Sequence, residues 1–255
     1  MIHSQAIVAS NANLASDVEV GPWTYIGPDV EIDSGTVIAS HVVIKGPTKI
    51  GKNNKIFQFA SVGEDCQDKK YNGEPTRLEI GDNNVIRESC TVHRGTVQDK
   101  GITKIGSGNL LMAYVHIAHD CVVGDNNIFA NNASLAGHVQ VDHDVILGGF
   151  SGIHQFCRVG AHSMASMGSM VVKDIPAFVM VSGDTAKAHG MNVEGMRRRN
   201  FPKETIDTLR KAYKVVYRSG MTVQQAIAEL ESWSSLEQLS LFIESIKSSA
   251  RGITR

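Results

Sequence analysis

Aliphatic residues recur at every sixth position along most of the chain. An amphipathic helix needs a period near 3.6 and an ordinary strand a period of 2, so neither element explains the pattern. Such a repeat predicts a solenoid with three short strands in each coil of about eighteen residues. After one insertion the phase is kept, and after a second it shifts by one residue: Ile2, Val8, Leu14, Val20, Ile26, Ile32, Ile38, Ile44, Ile50, Ile56, Val62; Ile80, Ile86, Val92; Ile105, Leu111, Ile117, Val123, Phe129, Leu135, Val141, Leu147, Ile153, Val159, Ala165, Val171.

A second register strengthens the prediction, because the fifth position of many repeats is small or β-branched. Both registers must face a narrow core, which predicts a triangular prism in which Cys90, Cys121 and Cys157 fill inward positions. Glycine or Asn/Asp after the aliphatic residue, as at Gly51 and Gly81, is expected to supply turns with backbone freedom. The small positions include Val115, Cys121, Ala133, Val139, Val145, Ser151, Cys157, Ser163 and Ser169.

The repeat divides the chain into two predicted domains. Residues 1–188 form a parallel β-helix, interrupted by insertions at about 63–79 and 93–104, and residues 189–255 form a C-terminal α-helical domain. The fold class is therefore mainly β. Prisms of this kind bury further surface by packing side against side, which favours a homo-oligomer, most simply a trimer.

Three helices are predicted in the C-terminal domain. The first starts near Pro202, which suits a first turn, and ends at Ser219-Gly220. Thr222 is expected to cap a second helix through about Glu231, and Ser235 a third through about Ser249. The residues spaced along one face of the first helix are Ile206, Leu209, Ala212, Val216 and Tyr217.

Composition indicates a soluble, cytoplasmic protein. No apolar run approaches the roughly 18 residues of a membrane span, so no stable membrane insertion is expected. The N-terminus shows no basic leader followed by an apolar stretch, and the four cysteines include no CxxC pair. These features predict reduced thiols, no disulfide framework and no cofactor.

Charge is distributed unevenly along the chain. Residues 1–189 hold 14 basic and 19 acidic side chains, a balance of −5, whereas residues 190–255 hold 11 and 7, a balance of +4. The basic excess is small and has no interleaved aromatic residues, so nucleic acid is not expected as a partner. A small molecule that carries phosphate is a sufficient anionic partner for these basic residues.

The eighteen-residue coil converts sequence into geometry, because residues eighteen apart stack at the strand spacing of roughly 4.8 Å. His119, Gly137 and Gln155 form one column, and Asp120 and His138 lie in the next. His119 is well placed as a general base that takes a proton from an attacking hydroxyl, with Asp120 orienting it. The backbone N–H of Gly137 could then stabilise an oxyanion.

A metal site is the alternative for these histidines. His116 and His119 have HxxH spacing, and His138 and His143 lie five apart. The zinc pattern known in some hexapeptide-repeat proteins needs a third histidine about two coils earlier, where this chain has Ile102. No metal is therefore expected.

Several motifs closely resemble the UDP-N-acetylglucosamine acyltransferase family of lipid A biosynthesis, over essentially the whole length. The repeat is common to many transferases, but these motifs are more specific. They are GEPTRLEIG (73–81), IRES (86–89), HRGTVQ (93–98), HIAHDC (116–121), LAGH (135–138), HQF (154–156), MNVEGMRRRNF (191–201) and AYKVVYRSG (212–220).

The resemblance implies a left-handed β-helix and a homotrimer with sites between subunits. It also implies transfer of an R-3-hydroxyacyl group from acyl carrier protein to the 3-hydroxyl of UDP-N-acetylglucosamine. In that family the residues matching His119, Asp120 and Gly137 are the base, its partner and the oxyanion donor. Further implied substrate contacts are Asp68 and Lys70 for the acyl hydroxyl region, His93, His116, His138, His154 and Gln155 for the sugar and acyl region, and Asn192, Glu194, Arg198 and Arg199 for the nucleotide.

One departure from the family concerns the acyl groove. Members that accept long chains carry glycine where this chain has Met167 and Met170. A thioether there should shorten the groove, which predicts a donor of about ten to twelve carbons instead of about fourteen. Two alternatives remain open: an N-acyltransferase acting on another nucleotide amino sugar, and a non-catalytic solenoid that only binds its ligand.

Overall fold

The computed structural model describes residues 1–233 and 236–255. Short strands make up the first three quarters of this part of the chain, and helices make up the remainder. In chain order the elements are β1 (Ile7–Val8), β2 (Asn13–Leu14), β3 (Glu19–Val20), β4 (Tyr25–Ile26), β5 (Val30–Ile32), β6 (Val37–Ile38), β7 (Val43–Ile44), β8 (Thr48–Ile50), β9 (Lys55–Ile56), β10 (Ser61–Glu64), β11 (Arg77–Ile80), β12 (Val85–Ile86), β13 (Thr91–His93), β14 (Ile102–Ile105), β15 (Leu110–Leu111), β16 (His116–Ile117), β17 (Val122–Val123), β18 (Ile128–Phe129), β19 (Ser134–Leu135), β20 (Gln140–Val141), β21 (Ile146–Leu147), β22 (Gly152–Ile153), β23 (Arg158–Val159), β24 (Met164–Ala165), β25 (Met170–Val171), β26 (Val179–Ser182), β27 (Lys187–Met191), α1 (Val193–Arg198), α2 (Lys203–Arg218), α3 (Val223–Glu231) and α4 (Glu237–Lys247).

The strands stack into three sheets that form the faces of a left-handed parallel β-helix, as the sequence predicts. A nine-stranded sheet contains every third strand from β1 to β25, an eight-stranded sheet runs from β2 to β23, and a ten-stranded sheet runs from β3 through β24 and ends with β26 and β27. Among the described residues, only β27 pairs antiparallel, against β26 at the end of the solenoid.

The aliphatic register fills the core of the prism. From Ile26 to Val171 its members are buried, whereas Ile2 is 50% exposed because the first coil has no coil before it. The fifth position is buried as well, and Cys90, Cys121 and Cys157 have no measurable exposure. The prediction that these cysteines are inward packing residues is therefore confirmed.

The left-handed backbone at the corners of the prism is adopted mainly by residues other than the glycines that the sequence indicated. Left-handed backbone is adopted three positions after the aliphatic residue by residues such as Asn53 (φ 55°), Asp120 (φ 59°) and His138 (φ 63°). Gly81 is required for a different reason, since a Cβ there would come within 2.8 Å of the carbonyl oxygen of Gly106 in the next coil. The expectation of backbone freedom at these glycines was wrong, because close coil-to-coil packing is what excludes a side chain.

A buried ladder of asparagines keeps the coils in register across both insertions. The side-chain oxygen of Asn54 accepts hydrogen bonds from the backbone and side chain of Asn84, 30 residues later, at 2.9 and 3.0 Å. Asn84 is bonded in the same way by Asn109, 25 residues later. Asn109 then accepts from the backbone of Asn127 at the regular spacing of 18. The extra residues are therefore pushed out of the coil while the stack continues.

These extra residues form two segments, 65–76 and 94–101, on the outside of the prism. Arg94 joins them, because its guanidinium donates to the carbonyl oxygen of Gly63 at 2.5 Å and forms an ion pair with Asp65. The Arg94 side chain is only 8% exposed. The second segment continues over the corner at Asp120, which it contacts through Thr96.

Helices α2, α3 and α4 correspond to the three predicted C-terminal helices, whereas α1, which precedes them, was not predicted. Helix α2 begins after Pro202 and buries Ile206, Leu209, Ala212 and Val216. Thr222 caps α3 through a capping box with Gln225. Ser235, the predicted cap of α4, lies outside the described residues. No helix of the described residues combines the length and apolar character that a membrane crossing requires.

Candidate active site

His119 and Asp120 form a hydrogen-bonded pair at the corner after β16. The Nδ1 atom of His119 lies 2.8 Å from Oδ2 of Asp120. The aspartate side chain is 1% exposed and the imidazole 15% exposed. Because Nδ1 faces a carboxylate, the neutral ring holds its proton there and leaves Nε2 as the acceptor. A pair with this geometry can act chemically as a general base with an orienting carboxylate.

The second insertion holds Asp120 in its ionised form. Thr96 donates to Oδ2 of Asp120 from its hydroxyl at 2.6 Å and to Oδ1 from its backbone N–H at 2.9 Å. Burial alone would raise the pKa of Asp120, but the hydrogen bonds from His119 and Thr96 outweigh it and lower the pKa. The backbone N–H of Asp120 itself donates to the Thr103 hydroxyl at 2.8 Å.

His138 sits one coil further on, beside the same carboxylate. Its ring meets the ring of His119 edge-on, with centroids 5.0 Å apart, and stacks on Phe156 at 4.4 Å. Its Nδ1 atom lies 3.0 Å from Oδ2 of Asp99. Sequence reasoning missed Thr96 and Asp99, because both lie in an insertion that breaks the repeat and no periodic signal reaches them.

Gly137 is the remaining member of the corner, and it is buried. The stacking that the eighteen-residue spacing predicts is confirmed here, since Ile117 pairs with Leu135 and the His138 N–H donates to the carbonyl oxygen of His119 at 3.0 Å. The backbone N–H of Gly137 makes no hydrogen bond to another backbone group of the described residues.

A mainly apolar groove of about 470 Å³ lies on the nine-stranded sheet beside this corner. Ser134 and Gly152 form part of its floor, and Ala136, next to Gly137 in the chain, lines its edge. The two predicted contacts that it contains are His116 and His154. The small floor residues leave room for a narrow chain of methylene groups.

His93 and His116 stand at the earlier end of the groove, with ring centroids 5.1 Å apart. His116 shares a 2.7 Å hydrogen bond with the Thr91 hydroxyl. Burial, followed by the neighbouring His116, lowers the pKa of His93 to about 4. Burial likewise lowers the pKa of His116. Both rings are therefore neutral near pH 7.

The two methionines differ in their relation to the groove. Met170 lines it, and its sulfur lies 3.1 Å from the point that a Cβ at Gly152 would occupy. Met167 is 77% exposed at the preceding corner and is not among the groove's lining residues.

Other predicted contacts lie in the open or serve local structure. Gln155 is exposed, and Lys70 is exposed while its backbone N–H donates to the Asp68 carboxylate at 3.0 Å. His138 and His143 belong to different corners, so their five-residue spacing does not create a joint site.

The four tail residues expected to bind nucleotide are engaged with one another or with the solenoid. Asn192 caps α1 by accepting from the Gly195 N–H at 3.0 Å. Glu194 and Arg198 form an exposed ion pair, and Nε of Arg199 donates to Asp144 at 3.0 Å. Within the described part of one chain, no hydrogen bond or ion pair joins these residues to His119, Asp120 or His138.

Models of known protein families match both the solenoid and the C-terminal part of the chain. Residues 174–254 match the family model for the second domain of UDP-N-acetylglucosamine O-acyltransferase. Residues 11–46 and 102–137 match the bacterial transferase hexapeptide model.

Curated relatives and solved structures match over the full length. The chain is 58% identical over 256 residues to the acyl-(acyl-carrier-protein)--UDP-N-acetylglucosamine O-acyltransferase of Stutzerimonas stutzeri, covering 100% of this chain and 99% of the relative. The same enzyme of Pseudomonas paraeruginosa is 59% identical with the same coverage.

Two solved structures agree closely in fold. LpxA from Acinetobacter baumannii has a TM-score of 0.97 at 57% identity, covering 100% of this chain and 99% of that one. The UDP-N-acetylglucosamine acyltransferase of Bacteroides fragilis has a TM-score of 0.98 at 36% identity, with 100% of both chains covered. The chain therefore belongs to the acyl-(acyl-carrier-protein)--UDP-N-acetylglucosamine O-acyltransferase family.

Proposed function

We propose that this enzyme transfers an R-3-hydroxyacyl group from acyl carrier protein to the 3-hydroxyl of UDP-N-acetylglucosamine, the first step of lipid A biosynthesis. The observation that carries the proposal is the His119–Asp120 pair, with a Nδ1–Oδ2 distance of 2.8 Å, beside a groove suited to an acyl chain. The free thiols of the chain are in keeping with a cytoplasmic location.

In the proposed reaction, Nε2 of His119 removes the proton from the sugar 3-hydroxyl as its oxygen attacks the thioester carbonyl carbon. The tetrahedral intermediate carries its negative charge on the former carbonyl oxygen, to which the Gly137 N–H donates. Collapse of the intermediate breaks the carbon–sulfur bond, and the imidazolium of His119 returns its proton to the carrier-protein thiolate. The ionised, buried Asp120 stabilises that imidazolium.

The remaining side chains bind the two substrates. His116 and His154 line the groove where the acyl chain lies, and the ring of His93 meets that of His116 edge-on. His138 and Gln155 contact the sugar, while Asp68 and Lys70 contact the acyl hydroxyl. The neutral state of His93 and His116 suits an apolar donor, because neither ring brings a charge into the groove.

The nucleotide is bound by Asn192, Glu194, Arg198 and Arg199 in a homotrimer, with the site between subunits. Arginine suits the diphosphate through its forked donors. Two observations support the assembly. These four residues form no hydrogen bond or ion pair with His119 within one described chain. The outward side of the ten-stranded sheet is half-buried and aliphatic at Leu110, Ile128 and Ile146.

The donor is a hydroxyacyl chain of about ten to twelve carbons, because Met170 occupies groove volume that a longer chain would need. Met167 limits the corner at which such a chain would leave the sheet. A glycine in place of either side chain would remove this limit.

The deciding experiment measures acylation of UDP-N-acetylglucosamine by wild type and His119→Ala with a 3-hydroxyacyl carrier-protein thioester. We expect turnover to fall by roughly 100-fold or more in the variant, as loss of a general base requires. Near-normal turnover would remove His119 as the base.

The same assay separates the alternatives when it is also run with a nucleotide sugar that carries a free amino group, because UDP-N-acetylglucosamine has no free amine that could form an amide. A product whose acyl group is released by hydroxylamine is an ester, whereas a stable product is the amide of an N-acyltransferase. Tight binding of the nucleotide sugar without any turnover by wild type would indicate a non-catalytic solenoid.

A further inference from the structure

A second histidine–aspartate pair lies at a corner 24 residues after that of His119 and Asp120, which is one full coil plus one six-residue repeat. His143, Asp144 and His162 each stand 24 positions after His119, Asp120 and His138. The geometry repeats closely: Nδ1 of His143 lies 2.9 Å from Oδ2 of Asp144, and the rings of His143 and His162 meet edge-on at 5.0 Å. The proposed reaction uses none of these three residues.

Two differences separate this corner from the catalytic one. Ala161 stands in the place of Gly137, so a methyl group takes the space that the base uses there. At the first corner, Oδ2 of Asp120 already accepts from both His119 and the Thr96 hydroxyl. Oδ2 of Asp144 instead faces only the two imidazoles among the described residues, because Arg199 binds Oδ1. This carboxylate oxygen is therefore available to another ligand.

His162 points an unsatisfied nitrogen at this oxygen. Its side chain is 11% exposed, and its buried Nδ1 lies 3.9 Å from Oδ2 of Asp144 without a hydrogen-bond partner in the described part of the chain. Phe178 stacks on the ring at 5.0 Å, and Phe201 meets it edge-on at 5.2 Å. A buried polar atom without a partner is costly, and these rings keep it from turning towards solvent.

We propose that His143, Asp144 and His162 bind a divalent transition-metal cation of the zinc class. Two imidazole nitrogens and one carboxylate oxygen, all within 4.8 Å of one another, form a donor set that such ions prefer. Donors 3–4 Å apart can meet one ion at bond lengths of about 2.0–2.2 Å after a small rotation of the exposed His143.

The surroundings suit an ion with one open position. Arg199 donates to Oδ1 of Asp144 and so orients Oδ2 towards the histidines, which is the role of an outer-shell partner. The His143 side chain is 47% exposed, so water can complete the coordination. When Nδ1 of the neutral His143 binds the ion, the ring keeps its one proton on Nε2, so no net proton is released from this imidazole. The ion would join two successive coils and, through Arg199, helix α1.

The test uses the full-length protein, freed of metal with a chelator and then passed into chelator-free buffer. Calorimetric titration with Zn²⁺ should give one ion per chain, and Tm should rise with Zn²⁺ concentration. Co²⁺ should give the visible absorption of a nitrogen- and oxygen-bound ion. His143→Ala and His162→Gln should each weaken Zn²⁺ binding by at least about tenfold.

His41→Ala is the matched control, because His41 is also an exposed corner imidazole but packs against the rings of Trp23 and Phe59. It should bind Zn²⁺ like wild type. Circular dichroism will show whether His162→Gln folds. If it does not, Zn²⁺ binding by His143→Ala is the test, because the His143 side chain is half-exposed and its loss should leave the fold intact. Absence of Zn²⁺ binding in wild type, or binding that survives His143→Ala and is lost in His119→Ala, would overturn the proposal.

Discussion

The imidazole of His119 occupies the space into which a side chain at Gly137 would project. A Cβ at position 137 would lie 2.6 Å from both Cε1 and Nε2 of the ring. The two residues stand eighteen apart in sequence and one above the other in adjacent coils. The glycine therefore leaves room for the ring of the proposed base, and its N–H, which has no backbone acceptor among the described residues, is the proposed oxyanion donor.

Gly137→Ala should lower turnover by roughly 100-fold, because displacing a reacting group by about 1 Å has a cost of that order. The Tm of this variant should change little, because the His119 imidazole can move outward to relieve its contact with the new Cβ. Gly149→Ala is a matched control at the equivalent corner position, where the nearest atom to a Cβ is the Asn131 carbonyl oxygen at 3.3 Å. Equal activity in the two variants would contradict the role of Gly137.

Thr96→Val should reduce kcat by roughly 10- to 100-fold, which corresponds to the ~1.5–3 kcal/mol of a hydrogen bond to a charged group. The substitution removes the 2.6 Å hydroxyl donor to Asp120 and should raise the pKa of that carboxyl. Thr96→Ser keeps the hydroxyl and should restore most of the activity. A Val variant with wild-type kcat would show that the hydroxyl does not support the catalytic pair.

Met170→Gly should shift donor preference towards longer hydroxyacyl chains, because it removes a side chain that lines the groove. Met167→Gly should do the same less strongly, since Met167 is 77% exposed. Competition between carrier-protein thioesters of different length measures the preference. Unchanged donor selectivity in both variants would show that these methionines do not limit the length of the acyl chain.

The buried His93 should make the fold less stable in mild acid. Its pKa is about 4 in the folded protein, against an ordinary value of 6.5, so the unfolded chain binds more protons between these limits. The contribution of His93 to the free energy of unfolding is therefore fully present above about pH 6.5. It is lost as the pH decreases towards 4, and the full loss is about 3 kcal/mol. Denaturant unfolding at pH 7 and pH 5 measures the loss, and His93→Gln should reduce the difference. An unchanged pH dependence in that variant would assign the loss to other groups.

Sequence reasoning grouped the residues around His119 correctly because the solenoid converts distance along the chain into distance in space. Once the eighteen-residue coil is recognised, His119, Asp120, Gly137 and His138 can be placed beside one another without coordinates. It failed wherever the repeat is interrupted. Thr96 and Asp99 come from an insertion of irregular length, so nothing in the periodic pattern connects them to Asp120 and His138.

The sequence by itself determined the β-helix, its inward registers, the three helices α2 to α4 and the column that contains His119. It could do so because each of these depends on local periodicity or on repeated nearest-neighbour packing. Only the tertiary structure decided which side chains complete the carboxylate contacts, that Met170 and not Met167 lines the groove, and that His143 pairs with His162. These relationships depend on how insertions and side chains fill the space outside the repeat, where one residue's conformation is set by partners distant in the chain.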